Sequence, residues 1–171
     1  VRSISAYIPS LRITNEELAM RMDTTDEWIR SHTGIGSRHI APDGLQTSDM
    51  ATEAAKSALD KANISVQELD YIILATATPD YLGFPATACI VQDKIGAYGV
   101  ASFDVAAGCT GFIYALNIAS SMLETSHGRN ALVIGAEGLS RFVNWEDRST
   151  AVLFGDGAGA AILSRIDESS R

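Results

Sequence analysis

Cys109, in the stretch DVAAGCTGF at 104–112, is the residue of this chain best placed for covalent chemistry. Small residues and glycines surround it, just after an apolar run and just before a stretch of helical periodicity. A thiol at such a strand-to-helix turn meets backbone N–H groups without intrahelical acceptors and the positive end of a helix dipole. Both favour a thiolate. Ala106, Ala107, Gly108 and Gly111 leave room for an acyl group to come close. A thiolate so placed suits acyl transfer, because thioester exchange costs little and leaves a reactive acyl-enzyme. The competing reading is packing, since cysteine is among the most buried residue types. Cys89, inside the apolar stretch ATACIVQDKI, fits that description.

The usual partner of a reactive cysteine is histidine, and the chain has His32, His39 and His127. His127 sits beside Gly128 at a predicted helix end, where capping explains it. His32 and His39 flank a glycine-bearing loop. None has a spacing that demands a base role, and no Cys, His or acidic pair shows metal-ligand spacing. A redox role lacks a CxxC motif. FGDGAGAA at 154–161 matches neither GxGxxG nor the P-loop pattern. It reads as a tight hairpin or a close sheet contact, with Asp156 able to cap a turn.

Elements that could position Cys109 follow from periodicity. YIILATAT at 71–78 is apolar and β-branched throughout, as in a strand covered on both faces. A helix is predicted over 86–95, a strand over 100–106, a helix over 110–124 and a strand over 131–136. The buried side of the 110–124 helix is assigned to Phe112, Ile113, Leu116, Ala119, Met122 and Leu123. Residues 151–154 and 158–164 could form a further strand pair. Upstream, Ser48 is predicted to cap a helix running to Ala62, and Thr14/Glu17, Thr24/Glu27 and Ser65/Glu68 have capping-box spacing. Strand, helix, strand, helix, strand makes a layered α/β domain. The terminal ESSR offers no closing element.

Bulk properties narrow the classes. With 171 residues, 46% hydrophobic and 20% charged, the chain can bury the core of one domain. The formal charge of −8 disfavours nucleic acid or an anionic membrane as main partner. No apolar run reaches membrane-spanning length, and VRSISAYIPS reads poorly as a secretion signal. Two cysteines make no disulfide framework, so a cytoplasmic protein is expected.

Five collinear motifs carry a family resemblance: TTDEWI at 24–29, GFPATAC at 83–89, DVAAGCTGF at 104–112, EDR at 146–148 and FGDGAGAA at 154–161. From about residue 7 to 164 the chain resembles the N-terminal half of the β-ketoacyl-acyl-carrier-protein synthase III family, initiating condensing enzymes of the thiolase-like superfamily. That resemblance, more than the local features, singles out Cys109 as a catalytic nucleophile. It implies a thiolase-like layered α/β fold with 1–171 as one βαβαβαββ half, the C-terminal half lying outside this chain. It also implies an acyltransferase with acyl-CoA as substrate, no tightly bound cofactor or metal, acyl-carrier protein as partner, and a homodimer. The histidine and asparagine that assist decarboxylation in similar enzymes belong to the other half.

Other positions carry over one by one. Trp28 matches a tryptophan that stacks on the CoA adenine, Thr24 a residue near that pocket, and Arg148 an arginine at the nucleotide end of CoA. Phe84 matches an aromatic lining the acyl pocket across the dimer interface, where its bulk would favour short primers. Two family arginines are replaced here by His32 and Gly36. An imidazole can still stack but supplies less positive charge. Alternatives sharing the acyl-cysteine chemistry are a starter-unit-loading synthase of secondary metabolism and a hydroxymethylglutaryl-CoA synthase-like enzyme. Further from the motifs lie a degradative thiolase, a cysteine hydrolase and a non-catalytic half-domain.

Overall fold

The computed structural model describes residues 1–166, and the ESSR tract lies outside the described residues. A five-stranded mixed sheet forms the centre. Its strands are β1 (Ser3–Tyr7), β4 (Tyr71–Ala75), β5 (Ala101–Val105), β6 (Asn130–Gly138) and β7 (Asp156–Ser164), in the order β1-β7-β6-β4-β5. β4 runs parallel to β5 and β6, while β7 runs antiparallel to β6 and β1. The helices α3 (Thr47–Ala62), α4 (Thr87–Ile95) and α5 (Gly111–Thr125) connect the strands. With β1 first, the core order is βαβαβαββ.

The apolar run in β4 is continuous because both faces are covered. Ile72 and Leu74 join α3 and α4 in one core, together with Leu132 and Ile134 of β6. Ile73 and Ala75 join α5 in the other, together with Ala131 and Val133. Between β1 and α3 the chain makes β2 (Leu11–Thr14), α1 (Asn15–Ala19), α2 (Asp26–Thr33) and β3 (Ser37–Ile40). This insertion has its own small core, Leu18, Met22 and Ile29, packed against Ala151 and Val152 of and beside α6 (Arg148–Ala151). Arg38, 5% exposed, donates from Nη2 to the Val152 carbonyl at 3.2 Å and so ties β3 to the end of α6.

Several sequence expectations are corrected. Thr25, not Thr24, caps α2, its Oγ1 accepting from Trp28 N–H at 3.1 Å. Ser48 lies inside α3, because its N–H is met by the Asp80 carboxylate at 2.9 Å and the helix can begin before it. The β4 strand ends at Ala75, where residues 76–78 turn away. Ile113 is 57% exposed; the buried stripe of α5 runs through Gly111, Ala115, Ala119 and Leu123. Residues 151–154 form no strand: Ala151 closes a short helix over 148–151, capped by Asp147, and 152–154 lie outside helix and strand. Of the two readings of FGDGAGAA, the close sheet contact holds and the hairpin does not: β7 runs unbroken from Asp156, with Gly159 paired to Gly135 on one side and Ala6 on the other.

Asp156 opens β7 and is buried. Its carboxylate accepts from Ala41 N–H at 2.7 Å, Ser140 N–H at 2.9 Å and Ser140 Oγ–H at 2.5 Å, joining three segments. Asp156→Ala strands these donors and is expected to cost roughly 2–4 kcal/mol, with Asp156→Asn costing less. Urea denaturation midpoints of the complete protein check this. An unchanged midpoint would show that water satisfies the stranded groups.

Candidate active site

Residues 106–110 must turn the end of β5 into the start of α5. Gly108 makes the turn with φ of 55°, a left-handed conformation that side-chain-bearing residues rarely adopt. Gly108–Thr110 form one 3₁₀ turn, closed by Gly111 N–H on the Gly108 carbonyl, and Thr110 Oγ1 donates to the Ala107 carbonyl at 3.1 Å. Cys109 is thereby left exposed at the entrance to α5. β4, β5 and β6 all run toward this end, where open α/β sheets place their ligands.

The thiol lines a cavity of about 340 Å³. Phe112, Leu139 and Phe154 give it apolar bulk, Ala75 and Gly135 give it depth, and Glu137 is the one charged residue on its lining. The sequence singled out neither Leu139 nor Glu137, and it assigned Phe112 to the buried side of its helix rather than to a cavity. A signal for Glu137 was there: an acid directly after the apolar run ALVIGA.

A second cluster gathers Trp28, His32 and Arg148. The His32 ring stacks on Trp28 with centroids 4.3 Å apart and planes at 22°, and its Nδ1 lies 2.8 Å from the Trp28 carbonyl. His32 therefore packs on the tryptophan of its own helix rather than standing opposite it. The Arg148 guanidinium lies 4.7 Å over the Trp28 ring, while Nη1 donates to the Asp23 carbonyl at 2.9 Å. The buried Thr24 Oγ1 has no hydrogen-bond partner among the described residues. The space above Gly36 holds the Arg30 guanidinium, whose Nη1 lies 2.7 Å from where a Cβ would stand. None of these residues lines the Cys109 cavity, yet Arg148 and Phe154 belong to one short segment that reaches both places. Phe84 is 90% exposed on the loop between β4 and α4, outside the cavity. Among the described residues no group of three or more His, Cys, Asp or Glu side chains could share a metal ion. No histidine lines the cavity either.

Sheet, flanking helices and strand order give the chain a thiolase-like α/β fold, with Cys109 at the turn into α5. Residues 103–171 match the family described as 3-oxoacyl-[acyl-carrier-protein (ACP)] synthase III. The chain is 54% identical over 162 residues to a β-ketoacyl-[acyl-carrier-protein] synthase III of Caldanaerobacter subterraneus, covering 95% of this chain and 49% of that protein. Against the crystal structure of 3-oxoacyl-[acyl-carrier-protein] synthase III from Aquifex aeolicus the TM-score is 0.94 at 52% identity, covering 98% of this chain and 54% of that one. The priming β-ketosynthase of the R1128 polyketide pathway gives 0.93 at 34% identity, covering 98% and 50%. Along nearly its whole length the chain is similar to β-ketoacyl-acyl-carrier-protein synthase III proteins. It spans about half the length of the curated relatives it matches.

Asp26 anchors the first turn of α2, the turn that also carries Trp28. Asn15 Nδ2 donates to Asp26 Oδ1 at 2.7 Å and Arg30 Nε donates at 2.8 Å. These bonds, Asn15 first, hold the Asp26 carboxyl below the usual aspartate range. The charged form is favoured in the fold, so this stabilisation is complete above the unfolded-state value and is lost as pH falls through the folded one. Wild type should be more stable than Asp26→Asn near neutrality, and the gap should close in strong acid. Denaturation midpoints of both proteins across that range test it; a gap independent of pH would assign the difference to packing.

Proposed function

We propose that this chain is the nucleophile-bearing half of a β-ketoacyl-acyl-carrier-protein synthase III, an initiating condensing enzyme, with Cys109 carrying the acyl group. One observation bears most of the weight: an exposed thiol at the turn into α5 opens on an apolar cavity at the ends of parallel strands. The Cys109 thiolate attacks the thioester carbonyl of a short acyl-CoA, a carbon–sulfur bond forms, and the CoA thiolate leaves and takes up a proton. Malonyl-acyl-carrier protein then loses CO2, and the resulting carbanion attacks the acyl-cysteine carbonyl. Cys109 departs as thiolate and a β-ketoacyl-carrier protein is released. Each tetrahedral stage puts negative charge on a carbonyl oxygen, which directed N–H donors must meet. The other half of the complete enzyme supplies the histidine and asparagine for decarboxylation.

Trp28 and Arg148 hold the CoA adenine, Thr24 lies beside that pocket, and His32 supports the Trp28 ring from its own helix. The unpartnered Thr24 hydroxyl and the Arg30 guanidinium above Gly36 support a polar nucleotide end. Phe84 is exposed on the same loop as Tyr81 and Leu82, which supports coverage of that loop by a second copy in a homodimer, with Phe84 facing the partner's acyl pocket. Acyl-carrier protein docks mainly on the other half, because this half is strongly acidic overall. Among the described residues no helix is long and apolar enough to cross a membrane; we take the protein to act in the cytoplasm. A starter-unit-loading synthase is the second reading, favoured by the similarity to the polyketide priming enzyme.

Intact-mass analysis of the complete protein after incubation with acetyl-CoA should find one acetyl group, mapped to Cys109. Cys109→Ser should fold and remain unlabelled; labelling of that variant would remove Cys109 as the nucleophile. Trp28→Ala should lower the efficiency of loading from acetyl-CoA roughly tenfold, the order of one lost base stack. Loading from acetyl-pantetheine, which lacks the nucleotide, should not change. Equal losses with both donors would make Trp28 structural.

A further inference from the structure

Glu137 is the cavity residue that the acyl-transfer reading leaves without a task. It follows five buried apolar or small residues on β6, where a carboxylate needs donors to be tolerated. Among the described residues it forms no ion pair. Its two oxygens are spent on one turn instead: Oε1 accepts from Ala77 N–H at 2.7 Å and Oε2 from Thr78 Oγ–H at 2.7 Å. The same Thr78 oxygen accepts from Gly138 N–H at 2.8 Å, and the Thr78 carbonyl accepts from Thr47 Oγ–H at 2.6 Å. Thr47 Oγ in turn accepts from Arg141 Nη2 at 2.9 Å. Thr47 and Thr78 are buried, so their part of the string cannot trade its partners for water, while the bond to Ala77 N–H lies at the exposed end.

What the string holds is a wall of the Cys109 cavity. Ala77 lines the cavity but lies outside helix and strand, and its exposed methyl gives it little packing of its own. Its backbone is positioned by Glu137. The turn at 76–78 also leads into the loop that carries Phe84.

We infer that Glu137 is a positioning residue that fixes the 76–78 turn as a rigid wall of the acyl cavity, and thereby sets which acyl chain lengths Cys109 accepts. The inference rests on the acyl-cysteine reading above. A carboxylate serves here because it accepts two bonds at once and makes each charge-assisted. A wall fixed by such bonds can discriminate single methylenes, a difference of about tenfold or more per group in a tight apolar pocket.

The test measures rates of Cys109 acylation by intact mass, using straight-chain acyl-CoA donors from acetyl to octanoyl on the complete enzyme. In Glu137→Ala the acetyl-to-octanoyl rate ratio should fall by roughly tenfold. In Glu137→Gln the ratio should be retained, because the amide carbonyl still accepts from Ala77 and the amide N–H donates to Thr78. An unchanged ratio in Glu137→Ala, or an equal slowing of every donor, overturns the inference. Should Glu137→Ala fail to fold, Thr78→Val, which removes one of the carboxylate's two donors, takes its place with the same two readings. A wild type unlabelled at Cys109 by every donor overturns the acyl-cysteine reading itself, and this inference with it.

Discussion

The close approach of α5 to β4 is the constraint on which the rest of the site depends. A Cβ on Gly111 would stand 3.2 Å from the Ala75 Cβ, tighter than side chains ordinarily tolerate. Because Gly111 has none, the first turn of α5 sits down on the end of β4, and the preceding turn has only residues 106–110 in which to reverse. That forces the left-handed Gly108 and leaves Cys109 outward, over the ends of the parallel strands. A bulkier residue at 111 would lift the helix start, and the thiol with it, off the cavity. The Cys109 thiol is thus set by backbone packing, with its own side chain exposed.

The two clusters differ in how they are held. Around Cys109 the framework is the central sheet, with apolar layers on both faces. Around Trp28 it is a small insertion fastened by polar contacts: Asn15 and Arg30 to Asp26, Arg38 to the end of α6, and Asp147 capping the helix that presents Arg148. Asp147 accepts from the Ser149 and Thr150 hydroxyls and from Ser149 N–H, which hold its carboxyl below the usual range. On the proposed reading, exposed polar fastening suits a nucleotide end that admits and releases its ligand, and the layered sheet suits a thiol that needs a fixed frame.

Much of the frame was legible in the residues. The two-sided strand at β4 announced itself by an unbroken apolar run, and the cysteine turn by its glycines. β1 was not anticipated, since SISAY is short and half polar and becomes a strand only through β7. The short helix at 148–151 was missed because its cap, Asp147, acts through hydroxyls two and three residues on, a pattern shared with ordinary turns. Thr24 and Thr25 are both plausible caps by type, and only the backbone chooses between them. At the site, Cys109, Trp28 and Arg148 stood out through the collinear motifs. Glu137 and Ala77 did not, because the turn joining them comes from a strand 60 residues away. Sequence spacing cannot report a bond of that kind.

The face that α3 presents to the sheet is built largely from alanine: Ala51, Ala54, Ala55, Ala58 and Ala62, meeting Ala136, Ala158 and Ala160 across the layer. Alanine has no rotamers to lose on burial. The alanine face of α3 is therefore ordered at little side-chain cost, while Ile72, Leu74, Leu132 and Ile134 supply the bulk of this core. The plasticity of that face is correspondingly small. A methyl-thin layer cannot absorb an enlarged side chain by repacking, so an insertion of bulk there is transmitted as a rigid shift of the sheet to the strand ends that frame Cys109.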